Sequence, residues 1–415
     1  MSLNRSISRI AILFTVLLAG ALTACVATAP VQVERPASLA DDALLEQGIQ
    51  FAADDLLAQA LKTPGFQPPA KSAFEQLVKS EPPKKLLAVV DSTIEGVSGQ
   101  QTAGTRLVDG RLLALLKSRL DFMDVAAVST ENVKVANYVF TATLTQVVET
   151  GGRSSFKLNV SLTDLRSGFV IAQALARVRP TGVDETPTKF FRDSPAISKD
   201  RVVEGQIRTA QTRAGDEADG LYLARLPVAA LIAEGDRHYE GGRCEDALKF
   251  YEVAASRPEG LQLHLLNALY LCKVQLGQSE AAETAFGRIV SLGLATNNLS
   301  VKFLFRPGST DFISDPKINQ PYSMWLRQIA RETALAKVCL LVTGHTSKTG
   351  AEQVNDRLSL QRASVIQKRL ESFAPEVLGR LQPVGMGFRE NLIGTGTDDL
   401  RDALDRRVEF KARPC

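Results

Sequence analysis

GHTSKTGAEQVNDRLSLQRASVI, Gly344 to Ile366, decides how the C-terminal part of this 415-residue chain is read. The apolar run before it, VCLLVTG from Val338, has the length and β-branched content of a strand. Its exit loop, GHTSKTG, leads into a helix that begins with a capping-box pattern, Thr349 to Glu352. Along that helix Asn355, Leu358 and Arg362 recur at spacings of three and four, which puts all three on one face. A glycine-containing loop and a first helical turn offer unpaired amides and the positive end of a dipole. Arg362 adds a planar fork of donors suited to two-point binding of a carboxylate.

Outward from this junction, VKFLF (Val301 to Phe305) reads as an earlier strand and WLRQIARETALA as a helix whose Trp325, Leu326, Ile329 and Ala330 share one face. DRRVEF, Asp405 to Phe410, opens a final strand. With the stretch quoted above, this pattern resembles the OmpA-like C-terminal domain. The resemblance implies a βαβαββ domain over residues 299–415 and a ligand, the diaminopimelate stem peptide of peptidoglycan. It pairs Arg362 with diaminopimelate and gives Asn355 the shaping of loop and pocket; Thr346, Ser347 and Leu358 are expected beside them as binding residues. One position departs from the family: Ser347 stands where an aspartate follows Gly-His-Thr. A hydroxyl still accepts a hydrogen bond but lacks charge assistance, a loss on the order of 1 to 2 kcal/mol, or roughly tenfold in affinity. The plainer reading of Arg362 is a surface arginine satisfied by Asp356 or Glu390. His345 reads as a hydrogen-bonded structural residue, and one of Arg406 and Arg407 as a support for the loop.

From 226 to 296 the chain turns all-helical. EGGRCEDALKFYEVA recurs as LGQSEAAETAFGRIV, aligning Gly242 with Gly277, Ala247 with Ala282 and Tyr251 with Phe286. The offset is near the roughly 34-residue period of tetratricopeptide repeats, which the pair resembles. Two repeats are too few to stand alone, so they are expected to pack on a neighbour. A spacer between domains and a protein-binding groove both fit. Residues 40–205 read as an α+β unit: a helix from Asp41 to Lys62, a buried strand KLLAVVD, an amphipathic helix from Arg106 to Leu120, and three strands separated by turns at Gly151-Gly152 and Ser167-Gly168. AVVDSTIEGVSGQQTAGTRLVDGRL, ANYVFTATLT and LTDLRSGFVIA resemble the lipoprotein activators of penicillin-binding proteins and the related CsgG-like fold. The fold class expected for the whole is multidomain α+β.

At the N-terminus, Arg5 and Arg9 precede an apolar run from Ile10 to Leu22, too short for the ~20 residues of a membrane-spanning helix. Residues 1–24 therefore read as a secretory signal and 25–39, with Pro30 and Pro36, as a flexible tether. Thr23-Ala24-Cys25 resembles a bacterial lipobox, which implies lipidation (palmitate among the acyl chains) of Cys25. Val26 follows where an inner-membrane signal would carry aspartate, so the resemblance implies the periplasmic face of the outer membrane. Cys244, Cys272, Cys339 and Cys415 remain, an even number open to three pairings; 244 with 272 and 339 with 415 keep each bond inside one folding unit. Four reduced thiols are the alternative.

A net charge of +3 gives no footprint for nucleic acid. With three histidines, two of them in the helical repeats, a histidine triad or zinc cluster has almost no material. GTGTDD, Gly394 to Asp399, lacks the lysine of a phosphate loop. The expectation is a non-enzymatic envelope lipoprotein without cofactor, bound to peptidoglycan and recruiting periplasmic proteins through its helical and N-terminal parts. A regulator of peptidoglycan synthases and an accessory part of an envelope secretion or assembly machine are the competing readings.

Overall fold

The computed structural model describes residues 43–67, 85–148, 153–306, 308–392, 396, 402 and 405–415. The expected signal segment, Cys25, the tether, the Gly151-Gly152 turn and Asp398-Asp399 lie outside the described residues. The described residues all fall within one unit, Ser38–Cys415.

The N-terminal part contains α1 (Leu45–Ala60), β1 (Leu86–Val90), β2 (Ile94–Glu95), α2 (Ala103–Arg119), β3 (Met123–Ala127), β4 (Tyr138–Val148), β5 (Ser154–Asp164) and β6 (Val170–Val178). Its sheet runs β3-β1-β4-β5-β6, with β2 also paired to β4. The three strands from β4 onward form the expected antiparallel meander, whereas β1 is parallel to both β3 and β4. Parallel pairing needs a crossover, and α2 supplies it. Thr102 starts that helix, its hydroxyl accepting from the Thr105 amide at 3.2 Å. On one face α1 buries Ile49, Ala52, Leu56 and Ala60 in the core that also holds Phe140, Leu158 and Val160.

The opposite face receives α4 (Arg201–Gln211) and the first turns of α5 (Gly220–Glu240), while α3 (Lys189–Asp193) places Phe190 and Phe191 in the core of the helical stack. Tyr222 and Leu226 of α5 pack on Val89 and Val139 of the sheet, while Val228, Leu231 and Ile232 of the same helix enter the core of the helical stack. One helix thus serves two cores. The stack continues through α6 (Cys244–Ala255), α7 (Leu263–Gln275) and α8 (Ser279–Ala295) as two helical hairpins. Gly242 and Gly277, aligned in sequence, both adopt positive φ at +73° and +70° where the chain turns. Their aligned aromatics, Tyr251 and Phe286, are both fully buried.

The last part contains β7 (Leu299–Val301), α9 (Pro316–Asn319), α10 (Tyr322–Ala336), β8 (Cys339–Gly344), α11 (Glu352–Phe373), β9 (Leu381–Gly385) and β10 (Val408–Arg413). Its sheet runs β7-β10-β8-β9, with β8 and β9 parallel and β10 antiparallel to its neighbours. The strand expected at VKFLF ends at Val301. Beyond it Lys302 turns inward, its amide bonded to Pro195 O, and only Phe305 pairs again, with Phe312. The free edge of β7 is covered by 195–197, where the Ile197 amide bonds Ser300 O at 3.0 Å. The helical stack leans on this part: Phe286 stacks on Trp325 at 5.4 Å, and the Trp325 indole donates to the Tyr270 hydroxyl at 2.8 Å.

Cys339 and Cys415 form a disulfide. The bond considered between Cys244 and Cys272 is not formed; both are buried thiols, and Cys244 donates to Gln275 Oε1 at 2.6 Å. They serve as small apolar groups between helices, and burial pushes the Cys272 thiol up, away from the reactive thiolate.

Candidate functional site

The loop after β8 and the first turns of α11 line a pocket of about 300 Å³. Thr346, Ser347, Asn355, Leu358 and Arg362, the five residues singled out from sequence, all face it, joined by Phe305 and Arg406. Gly344 makes this approach possible, because a Cβ there would collide with the Ser359 carbonyl of α11.

Each side chain has a distinct job in the local structure. Asn355 donates its Nδ2 to Thr349 O at 2.8 Å and Ala351 O at 3.2 Å, tying the loop to the helix start. The expected capping box is not made: α11 begins at Glu352 with no side-chain cap, and Glu352 turns to Arg389 at 3.3 Å instead. Thr346 is buried, its amide bonded to Gly387 O and its hydroxyl without a partner. Ser347 is also buried and shares a 3.3 Å contact with the Thr349 hydroxyl.

Arg362 is 3% exposed and lies 4.8 Å over the Phe305 ring. Its Nε donates to Ser309 O and its Nη2 to Arg306 O, both at 3.1 Å. The surface pairing considered for it is not adopted, since Asp356 pairs with Arg389 at 2.6 Å. The guanidinium thus holds Arg306 and Ser309 against α11 while facing the pocket. A fully desolvated guanidinium is a stronger partner for a carboxylate than an exposed one, because solvent does not screen it.

Behind the pocket, Arg407 donates to Glu409 at 2.7 and 2.8 Å and to Glu390 O at 3.0 Å, so it is this arginine that braces the loop. Burial alone would raise the Glu409 carboxyl, but His345 and Arg407 hold it well below the usual carboxylate range. His345 is fully buried, its amide bonded to Arg407 O at 3.1 Å and its ring 3.7 Å from Glu409. His345, Glu390 and Glu409 bring ligand atoms within 4.8 Å of one another, a spacing a metal ion could use. Arg407 and Lys411, the latter at 3.5 Å, already occupy the charge of Glu409 and oppose a further cation there.

Residues 304–403 match the profile of the OmpA family. The C-terminal part of the chain is an OmpA-like domain. Among solved structures it is similar to the peptidoglycan-associated lipoprotein from Burkholderia pseudomallei, at 22% identity over 28% of this chain and 89% of that one, with a TM-score of 0.23. An outer membrane protein from Borrelia burgdorferi B31 is similar at 24% identity over 27% of this chain and 85% of its own, with a TM-score of 0.21. The periplasmic domain of Helicobacter pylori MotB is similar at 20% identity over 28% of this chain and 74% of its own, with a TM-score of 0.23. No curated protein matches the chain. Among the described residues, no helix is long and apolar enough to cross a membrane.

Sequence reasoning did not place Arg406 or Phe305 at the pocket. Phe305 reaches the site because the chain leaves the sheet after Val301.

Proposed function

We propose that this protein binds peptidoglycan non-covalently, with the OmpA-like domain receiving the carboxylate end of a diaminopimelate stem peptide. The observation that carries the reading is the convergence of Arg362, Asn355, Thr346, Ser347 and Leu358 on one pocket within the family-matched region. Arg362 and Arg406 supply positive potential, Leu358 contacts the aliphatic part of the side chain, and Thr346 and Ser347 offer hydroxyls to its amine and amides. No step of this reading breaks a covalent bond. Cys25, lipidated, holds the chain to the periplasmic face of the outer membrane, and the helical stack and N-terminal sheet recruit periplasmic partners. Tethering keeps the pocket close to the wall, so even a weak single contact gives high occupancy.

The test is sedimentation of the full chain with purified sacculi, with soluble diaminopimelate-containing tripeptide as competitor. Wild type is expected to pellet and to be released by the tripeptide, whereas Arg362→Ala stays in the supernatant with the emission of Trp325 unchanged. Equal pelleting of a folded Arg362→Ala protein refutes the assignment.

A further inference from the structure

A cavity larger than this pocket lies elsewhere. It is a crevice of about 870 Å³ where α3, α7, the chain beyond β7 and the start of α10 meet. Volumes of roughly 300 to 1,000 Å³, at a junction between folding units and lined by aromatics with a few polar groups, are typical of small-molecule sites. Its walls are Tyr270, Leu271, Tyr322 and Trp325. Its charge is lopsided: Lys189, Arg192, Lys302 and Lys317 line it against a single carboxylate, Asp193.

Lys302 is the unusual member. It is 9% exposed, and its Nζ donates to Phe191 O at 2.8 Å and Arg192 O at 3.0 Å, which uses two of its three N–H donors. Among the described residues no carboxylate lies within ion-pairing distance: Asp193 is already shared by Lys189 at 2.9 Å, Arg192 at 3.4 Å and the Tyr239 hydroxyl at 2.9 Å. A buried cation normally has a counter-charge, because desolvation is costly without one. Burial accordingly pulls Lys302 down to about 7, so near neutrality the group is poised to take up a proton when an anion arrives. Arg192 and Lys317 at the exposed rim add attraction for the same sign of ligand.

We propose that this crevice binds a small anionic amphiphile, its carboxylate or phosphate head on Lys302 and its apolar body against Tyr270, Leu271, Tyr322 and Trp325. The site is separate from the wall-binding pocket and shares only Leu304 with it.

Trp325, the sole tryptophan, lines the crevice and reports on it directly. Full-length protein is titrated with octanoate, octyl phosphate and uncharged octanol while Trp325 emission is followed, with calorimetry in parallel. The two anions are expected to bind saturably with one site and to shift the emission, and octanol to bind at least tenfold more weakly; the tighter anion identifies the head group. Lys302→Met is expected to weaken the anions at least tenfold and leave octanol unchanged. Because that variant alters a buried site, Val274→Glu provides a second reading: Val274 is an exposed lining residue of α7, and a carboxylate there is expected to weaken anions selectively. Equal binding of octanol and the anions overturns the proposal, as do failure of all three to shift Trp325 and indifference of anion binding to both substitutions.

Discussion

Replacing Ser347 by aspartate tests, by gain rather than by loss, the electrostatics of the pocket proposed to bind the wall. Ser347 is buried, and its hydroxyl lies 3.3 Å from the neutral hydroxyl of Thr349. A carboxylate at this position converts a neutral acceptor into a charge-assisted one, a gain on the order of 1 to 2 kcal/mol for an ammonium or amide donor of the ligand. Burial of the new charge opposes this, and the two arginines that line the same pocket, Arg362 and Arg406, offset that cost. About 1.4 kcal/mol net corresponds to a tenfold tighter complex. The assay is equilibrium sedimentation of full-length Ser347→Asp and wild type with sacculi at low and moderate salt. Tenfold tighter binding with the same thermal midpoint is expected. Unchanged binding by a variant that melts cooperatively refutes the idea that ligand charge is read at this loop.

Three further outcomes follow from the packing. Burial, with Asp91 close by, lifts the Asp109 carboxyl to about 7, so between roughly pH 4 and 7 the folded state keeps a proton that the unfolded chain has lost. Stability should therefore fall as pH rises through that window, by up to roughly 4 kcal/mol. Asp109→Asn, which retains an oxygen for the Thr93 amide, should flatten the slope and raise the melting temperature at pH 8; parallel curves would contradict this. Cys415→Ser opens a bond between residues 76 apart in sequence and should lower stability by roughly 4 kcal/mol by chain entropy, read as the denaturant midpoint of the C-terminal transition. Gly235→Ala should cost about 1 to 3 kcal/mol, because a Cβ there meets the ring of Tyr251, which is pinned by its 2.7 Å bond to Asp236; an unchanged midpoint would show that the ring can yield.

How much was legible in the sequence depended on whether a residue's role was local. The strands from Tyr138 to Val178 were readable because alternation and turn residues mark them, and the pocket residues on α11 because helical spacing alone puts Asn355, Leu358 and Arg362 together. The parallel neighbours of β1 were not, since a five-residue apolar run carries no information about direction of pairing. Strand β9 is masked by Pro383, tolerated because β9 lies at the sheet edge. Thr349 and Glu352 have the spacing of a capping box, yet Arg389, distant in sequence, draws Glu352 away. Lys302 is the sharpest case. A lysine inside VKFLF looks like the solvent side of a strand, and only the third dimension reveals that it points into a crevice.

The helix from Gly220 to Glu240 has a practical consequence for anyone dividing this protein. Cutting before it strips Tyr222 and Leu226 from the sheet and leaves Val89 and Val139 facing water; cutting after it removes Leu231 and Ile232 from the hairpins downstream. Neither fragment would keep an intact interior, so proteolysis is expected to spare this stretch, and expression of separate halves to yield aggregates unless each half carries its own copy of the shared rod.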